Sequence, residues 1–183
     1  LEPKELIDNY LIKAMEEIGD RFEKQQAFVP ELLMAGRAMK ASLSLLQPLL
    51  KGDEATSQLG TIVIGTVKGD LHDIGKNLVG SMFEGCGFQV VDLGVDADSD
   101  KFVTAVKEHG ANLVGLSALL TTTMPYMKTI IEGLKAAGLR DKVKVMVGGA
   151  PVSSSFAEEI GADGYSDSAN SAVIKAKELL GVA

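Results

Sequence analysis

A single cysteine, Cys86, no tryptophan and only two histidines, His72 and His109, occur in 183 residues. One cysteine excludes a disulfide framework and any thiolate cluster built to hold zinc or iron–sulfur. Two histidines confine imidazole chemistry to two positions. Positive charge is also short: 18 Lys and Arg against 25 Asp and Glu leave a formal net charge of −7. With no basic run anywhere, nucleic acid and anionic membranes are poor candidates for the main partner, because both demand a basic face. Neither a secretory leader nor a long apolar span is present, so the cytoplasm is the expected compartment, and Leu1 in place of Met implies processing or trimming. Hydrophobic residues, at 46%, are enough for one substantial core and at most a small appended unit.

From about residue 60 onward, strand and helix signals alternate. β-branched and apolar runs predict strands at Thr61–Val67, Phe88–Leu93, Asn112–Leu119 and Val143–Val147, with a short fifth near Asp163–Tyr165. Helical spacing predicts helices at Gly75–Gly85, Ser99–His109, Met124–Ala137, Ser153–Ile160 and Ser168–Leu180. Such alternation implies right-handed βαβ units around a five-stranded parallel sheet with helices on both faces. In a flavodoxin-like strand order, ligands bind beyond the carboxyl ends of the strands, where the first and third meet. The first 57 residues differ. Leu6, Ile7, Leu11, Met15 and Ile18 follow helical spacing, and Pro30 opens a second helix carrying Leu32, Leu33, Ala35, Met39, Leu43 and Leu46. Pro48 and Lys51-Gly52-Asp53 read as its end and the linker, which divides the chain into 1–57 and 58–183. Apolar stripes this wide cannot be buried between two helices alone; they must cover the α/β region, further helices or a partner.

The chemistry concentrates after the first strand, in Thr66-Val67-Lys68-Gly69-Asp70-Leu71-His72-Asp73-Ile74-Gly75-Lys76-Asn77. A glycine-punctuated turn there presents an imidazole with its own carboxylate two residues away. An imidazole that ligates a metal through one nitrogen normally donates its other N–H to a carboxylate, which fixes the tautomer and raises ligand basicity. This stretch alone leaves open a surface histidine beside a helix-capping aspartate. The third strand runs into Ser117, Thr121, Thr122 and Thr123, more hydroxyls than one helix cap requires. One is expected to cap the helix that Pro125 opens, and the others to bond a ligand or the histidine–aspartate pair. After the fourth strand, Gly148-Gly149 either admits a flat or bulky ligand or serves a turn with positive φ. The glycines after the first strand form neither a dinucleotide fingerprint nor a P-loop. Gly80 costs its helix about 1 kcal/mol relative to Ala, which calls for close packing, as beside a groove. His109 at a helix end and Cys86 between glycines read as structural, and the methionines mostly as core.

These residues carry a resemblance. Residues 61–182 resemble cobalamin-binding domains, whose signature of Asp-x-His-x-x-Gly, Ser-x-Leu and Gly-Gly appears as Asp70/His72/Gly75, Ser117/Leu119 and Gly148/Gly149. Ile18-Gly19-Asp20-Arg21-Phe22 through Phe28-Val29-Pro30-Glu31-Leu32 looks like the helical cap of methyl-transferring members, such as cobalamin-dependent methionine synthase and stand-alone corrinoid proteins. The resemblance implies a cobalamin cofactor with its nucleotide tail in a slot near Gly80, Ser117, Leu119, Gly148 and Gly149, and with Gly69, Asp73 and Gly75 in the adjoining loop. It implies His72 as the lower axial ligand of cobalt, Asp70 as acceptor of the imidazole N–H, Thr123 completing the relay in place of a serine, and Thr121 bonding the tail. Phe22, Val29 and Leu32 match cap residues over the upper corrin face. Family caps have four helices and this chain has room for little more than two, so the first helices are expected to be absent or shared across a dimer. The implied function is that of a corrinoid methyl carrier, not catalytic alone. Its partners would be a substrate-specific methyltransferase, an acceptor methyltransferase using tetrahydrofolate or a thiol, and a reductive activator. The alternatives are the cobalamin subunit of an adenosylcobalamin-dependent mutase and a cobalamin-dependent sensor.

Overall fold

The structure is a computed structural model that describes residues 2–50 and 59–182. The expected linker Lys51-Gly52-Asp53 and the division at 57/58 lie outside the described residues. At the N-terminus α1 (Pro3–Leu6), a π-helical stretch Ile7–Leu11 and α2 (Ile12–Glu23) run on from one another, and α3 (Val29–Leu46) ends in a 3-10 turn, Gln47–Leu49. Helix α3 begins one residue before the expected Pro30, so the proline falls in the first turn, where its missing N–H costs no bond. Glu31 Oε2 accepts the Phe28 amide at 2.7 Å, closing that end.

The remaining elements are β1 (Thr61–Thr66), α4 (Ile74–Gly85), β2 (Gln89–Asp92), α5 (Ser99–His109), β3 (Leu113–Ser117), α6 (Pro125–Ala136), β4 (Lys144–Gly148), α7 (Ser154–Ile160), β5 (Gly164–Tyr165) and α8 (Ala169–Leu180). The sheet is parallel throughout in the order β2-β1-β3-β4-β5. Strand periodicity sorts the core into two layers. Val63, Val114, Val145 and Val147 point to one side, with Phe102, Ile130 and Leu134 of α5 and α6. Ile62, Ile64, Leu113 and Met146 point to the other, with Phe83 of α4 and Val173 of α8.

The N-terminal helices complete this second layer: Met15, Leu32 and Met39 are buried in the same cluster as Ile62, Phe83 and Ala172. Their apolar stripes therefore cover the α/β region. Glycines let the helices approach closely. A Cβ on Gly85 of α4 would stand 2.7 Å from Met15 Cε and 3.3 Å from the Gly36 Cα of α3, and one on Gly19 of α2 would stand 2.3 Å from Asn170 Oδ1 of α8. Polar contacts rim the interface: Lys40 Nζ to Glu84 Oε2 at 3.0 Å, Lys177 Nζ to Glu16 Oε1 at 2.8 Å, and Ser168 Oγ to Glu23 Oε1 at 2.8 Å. Among the described residues no helix is long and apolar enough to cross a membrane.

Because the crossing of α3 on α4 depends on the missing side chain at Gly85, Gly85→Val should cost about 1–3 kcal/mol by overpacking. Urea unfolding reads this as a lower midpoint; an unchanged midpoint would contradict so close a crossing.

Candidate metal and cofactor site

Strand β1 feeds a turn, Val67 to Asp70, closed by the Asp70 amide donating to Val67 O at 3.1 Å. Gly69, the third residue of this turn, has φ +80°, a conformation that a side chain disfavours. The turn buries the Asp70 carboxyl completely and leaves the His72 side chain 52% exposed. His72 Nδ1 lies 2.7 Å from Asp70 Oδ1, which also accepts the His72 amide at 3.1 Å. Asp70 Oδ2 accepts the amides of Leu119 at 2.8 Å and Leu120 at 3.2 Å, and stands 2.7 Å from Thr123 Oγ1. Thr66 Oγ1 donates to the His72 carbonyl at 3.0 Å and pins the histidine from behind.

Burial pushes the Asp70 carboxyl upward, but the His72 ring N–H, the Leu119 amide, the Thr123 hydroxyl and the His72 amide outweigh it and hold the group well below the usual carboxylate range. An ionised Asp70 makes Nδ1 the protonated ring nitrogen. Nε2 then keeps its lone pair for a ligand.

The strand expected to run to Leu119 stops at Ser117. The Ala118 amide still bonds Gly148 O of β4 at 3.3 Å, and the next two amides, of Leu119 and Leu120, turn to Asp70. None of the nearby hydroxyls caps α6: Met124 occupies the cap position without a side-chain bond, and Pro125 opens the helix. Thr123, expected to stand beside the pair, does so. Thr121 is exposed and makes no hydrogen bond among the described residues.

A cleft of about 770 Å³ opens beside His72 and runs down the α4/α8 face of the sheet. It is lined by His72, Asp73, Gly75, Ser117, Leu119, Gly148, Gly149 and Phe22 of the expected residues, and by Ile62, Ile64, Met146, Ala169 and Ala172 at its buried floor. Besides Asp70 and Thr123, which stand behind His72, five expected residues lie off the cleft. Gly69 shapes the turn. Gly80 faces the sheet, where a Cβ would stand at an ordinary contact distance of 3.7 Å from Val90 Cγ1, and it does not line the cleft. Thr121 lies off the cleft wall. Leu32 is buried, 2% exposed, in the core beneath α3, and Val29 stands exposed at the first residue of that helix. Of the three residues expected over an upper face, Phe22 alone reaches the cleft. Gly149 lines the cleft, and its φ of +127° and the Ala118 carbonyl that a Cβ there would strike make glycine a requirement of the turn itself.

Sequence reasoning missed Leu71, directly before His72, and Ile74, two residues after it. Large apolar side chains there are 70% and 87% exposed, and Leu119 and Leu120 stand 44% and 42% exposed across the loop. Unfavourable exposure in a motif loop was the available signal. Among the described residues no group of three or more His, Cys, Asp or Glu side chains could hold a metal ion. A metal at His72 Nε2 must bring its other ligands with it. One oriented imidazole, apolar flanks and a long, largely apolar cleft fit a metal held in a flat organic macrocycle with an appended tail.

Comparison with known proteins gives the same answer. Two family models, each described as a B12 binding domain, match residues 60–174 and 1–47. The dimethylamine corrinoid protein of Methanosarcina barkeri is 49% identical over 180 residues, covering 98% of this chain and 84% of the relative. A cobalamin-binding protein from Desulfitobacterium hafniense superimposes with a TM-score of 0.81 at 38% identity, covering 96% of this chain and 82% of the other. In the methanol:cobalamin methyltransferase complex of Methanosarcina barkeri, one chain superimposes with a TM-score of 0.82 at 28% identity, covering 98% of this chain and 68% of its own.

The Asp70 network has a consequence for stability. In Asp70→Asn an amide nitrogen cannot accept from both backbone amides and the threonine, so about 1.5–3 kcal/mol should be lost at pH 7. With its folded-state pKa depressed, Asp70 contributes stability that is complete above the unfolded value near 4 and lost as pH falls through the folded value. The gap between wild type and Asp70→Asn in urea unfolding should therefore narrow steadily from pH 5 down to pH 2.

Proposed function

The chain belongs to the B12-binding domain family, and on that premise we propose that it is a corrinoid methyl carrier, working between a methyltransferase that presents a methylated substrate and a second that passes the methyl group on. The observation that carries this reading is the Asp70–His72 pair, one nitrogen bonded and the other open, at the mouth of a cleft long enough for a nucleotide tail. Bound cobalamin would supply a cobalt centre that accepts and releases a methyl group, chemistry that belongs to the cofactor. Everything else falls to the chain.

His72 Nε2 would hold the metal. Asp70 keeps the proton on Nδ1 and fixes the plane of the ring, while the Leu119 and Leu120 amides keep Asp70 ionised. With Nδ1 occupied by the Asp70 carboxylate, Nε2 is the ring nitrogen that would be left for the metal. The hydroxyl of Ser117, which makes no hydrogen bond among the described residues, stands in the cleft wall for the tail. Phe22 reaches the cleft from α2 and closes one side of it against water. A reductive activator, and tetrahydrofolate or a thiol as final acceptor, complete the system in this reading. The donor is chosen by the methyltransferase.

Reconstituted with cobalamin, the protein should hold about one corrinoid per chain, with its own benzimidazole displaced and His72 in its place. Visible spectra should show this form in wild type. In His72→Ala, corrinoid should stay bound without a protein ligand, because the cleft still holds the tail. Absence of binding in wild type, or retention of the benzimidazole on cobalt, would overturn the reading.

A further inference from the structure

The β2–α5 loop lies outside the cleft, yet it is fastened to the turn that presents Asp70. The loop follows the end of β1, with the Thr66 amide donating to Gly94 O at 2.9 Å and the Ala97 amide to Thr66 O at 3.0 Å. Between these bonds stands Asp96, with φ +52°, one of two non-glycine residues at positive φ among those described. A side chain in this region costs of order 1 kcal/mol, and such strain persists where the surroundings impose it. Here the surroundings are the site. Asp96 Oδ1 accepts the Gly69 amide at 2.7 Å, and the Asp96 amide donates to Asp70 O at 3.1 Å. These bonds occupy the two backbone groups on either side of the Gly69–Asp70 peptide that the turn itself leaves unpaired. Asp70 is thereby fixed at its amide, its carbonyl and both carboxylate oxygens.

We propose that Asp96 is a positioning residue for the histidine ligand, acting through the Gly69–Asp70 peptide to set the direction from which the Asp70 carboxylate meets His72. The inference rests on the methyl-carrier reading for its consequence at cobalt, but not for its consequence at His72. Losing the Asp96 carboxylate frees the Gly69 amide and lets the turn rotate. The hydrogen bond to Nδ1 lengthens, and the imidazole becomes a weaker, less oriented donor. Nothing in this requires Asp96 to touch a ligand.

Three substitutions separate the side-chain clamp from backbone strain. Asp96→Asn retains an acceptor oxygen and tolerates the left-handed conformation. Asp96→Gly relieves the strain but deletes the acceptor, so it should unfold no more easily than wild type; Asp96→Ala loses the acceptor and keeps the strain. In the cofactor-free protein, the hydrogen-bonded His72 Nδ1–H should give a downfield proton resonance in wild type and Asp96→Asn. It should be broadened or shifted upfield in Asp96→Gly and Asp96→Ala. In the cobalamin-loaded protein, the cobalt(II)/cobalt(I) midpoint potential should be less negative in the Gly and Ala variants than in wild type and Asn, because a weaker axial base stabilises cobalt(II) less. Wild-type values for both readouts in Asp96→Gly and Asp96→Ala would overturn the proposal, as would an Asn variant as impaired as the Ala variant. If wild type takes up no corrinoid, the methyl-carrier reading fails, while the proton resonance still decides the role of Asp96.

Discussion

The carboxylate of Asp70 has no exposed surface and no unpaired atom, and the loops at the carboxyl ends of β1 and β3 are built around it. A buried carboxylate is costly unless every lone pair finds a donor. Meeting that requirement accounts for several local features together. The Leu119 and Leu120 amides just beyond β3 turn inward to the carboxylate, Thr123 bonds it instead of capping α6, and the histidine ring is held in one tautomer. The result is a single oriented nitrogen flanked by the exposed apolar side chains of Leu71, Ile74, Leu119 and Leu120.

The cleft follows from the strand order. Where β1 and β3 lie side by side and their following helices leave in opposite directions, the two loops part and a crevice opens. Its floor is the α4/α8 layer of the core, which is why Ile62, Ile64 and Met146 serve both packing and lining. The N-terminal helices dock on the same layer through glycine contacts and a rim of ion pairs. They thus cover the helices that bound the cleft while placing Phe22 at its edge.

Much of this was legible in the chain. Alternating strand and helix signals and the Asp-x-His spacing sufficed for the architecture and for the histidine–aspartate pair. Less legible was anything set by contacts between distant segments. Gly80 looks like an opening for a ligand in one dimension, and only the position of Val90 shows that it faces a strand. Gly149 answers to the Ala118 carbonyl, 31 residues earlier in the chain. Leu32 matches a lid position by motif, yet the pitch of α3 turns it into the core. Asp96 left no signal in the sequence, since neither its left-handed backbone nor its bond to Gly69 follows from local spacing.

The central claim is that His72, oriented by Asp70, is the protein's ligand to cobalt. Its most direct test is electron paramagnetic resonance of the cobalt(II) state in protein grown with 15N-histidine and loaded with unlabelled cobalamin. Histidine ligation predicts that the axial nitrogen splitting changes from the triplet of 14N to the doublet of 15N. A splitting that remains a triplet would show that the cofactor's own base is still on the metal, and would contradict the account.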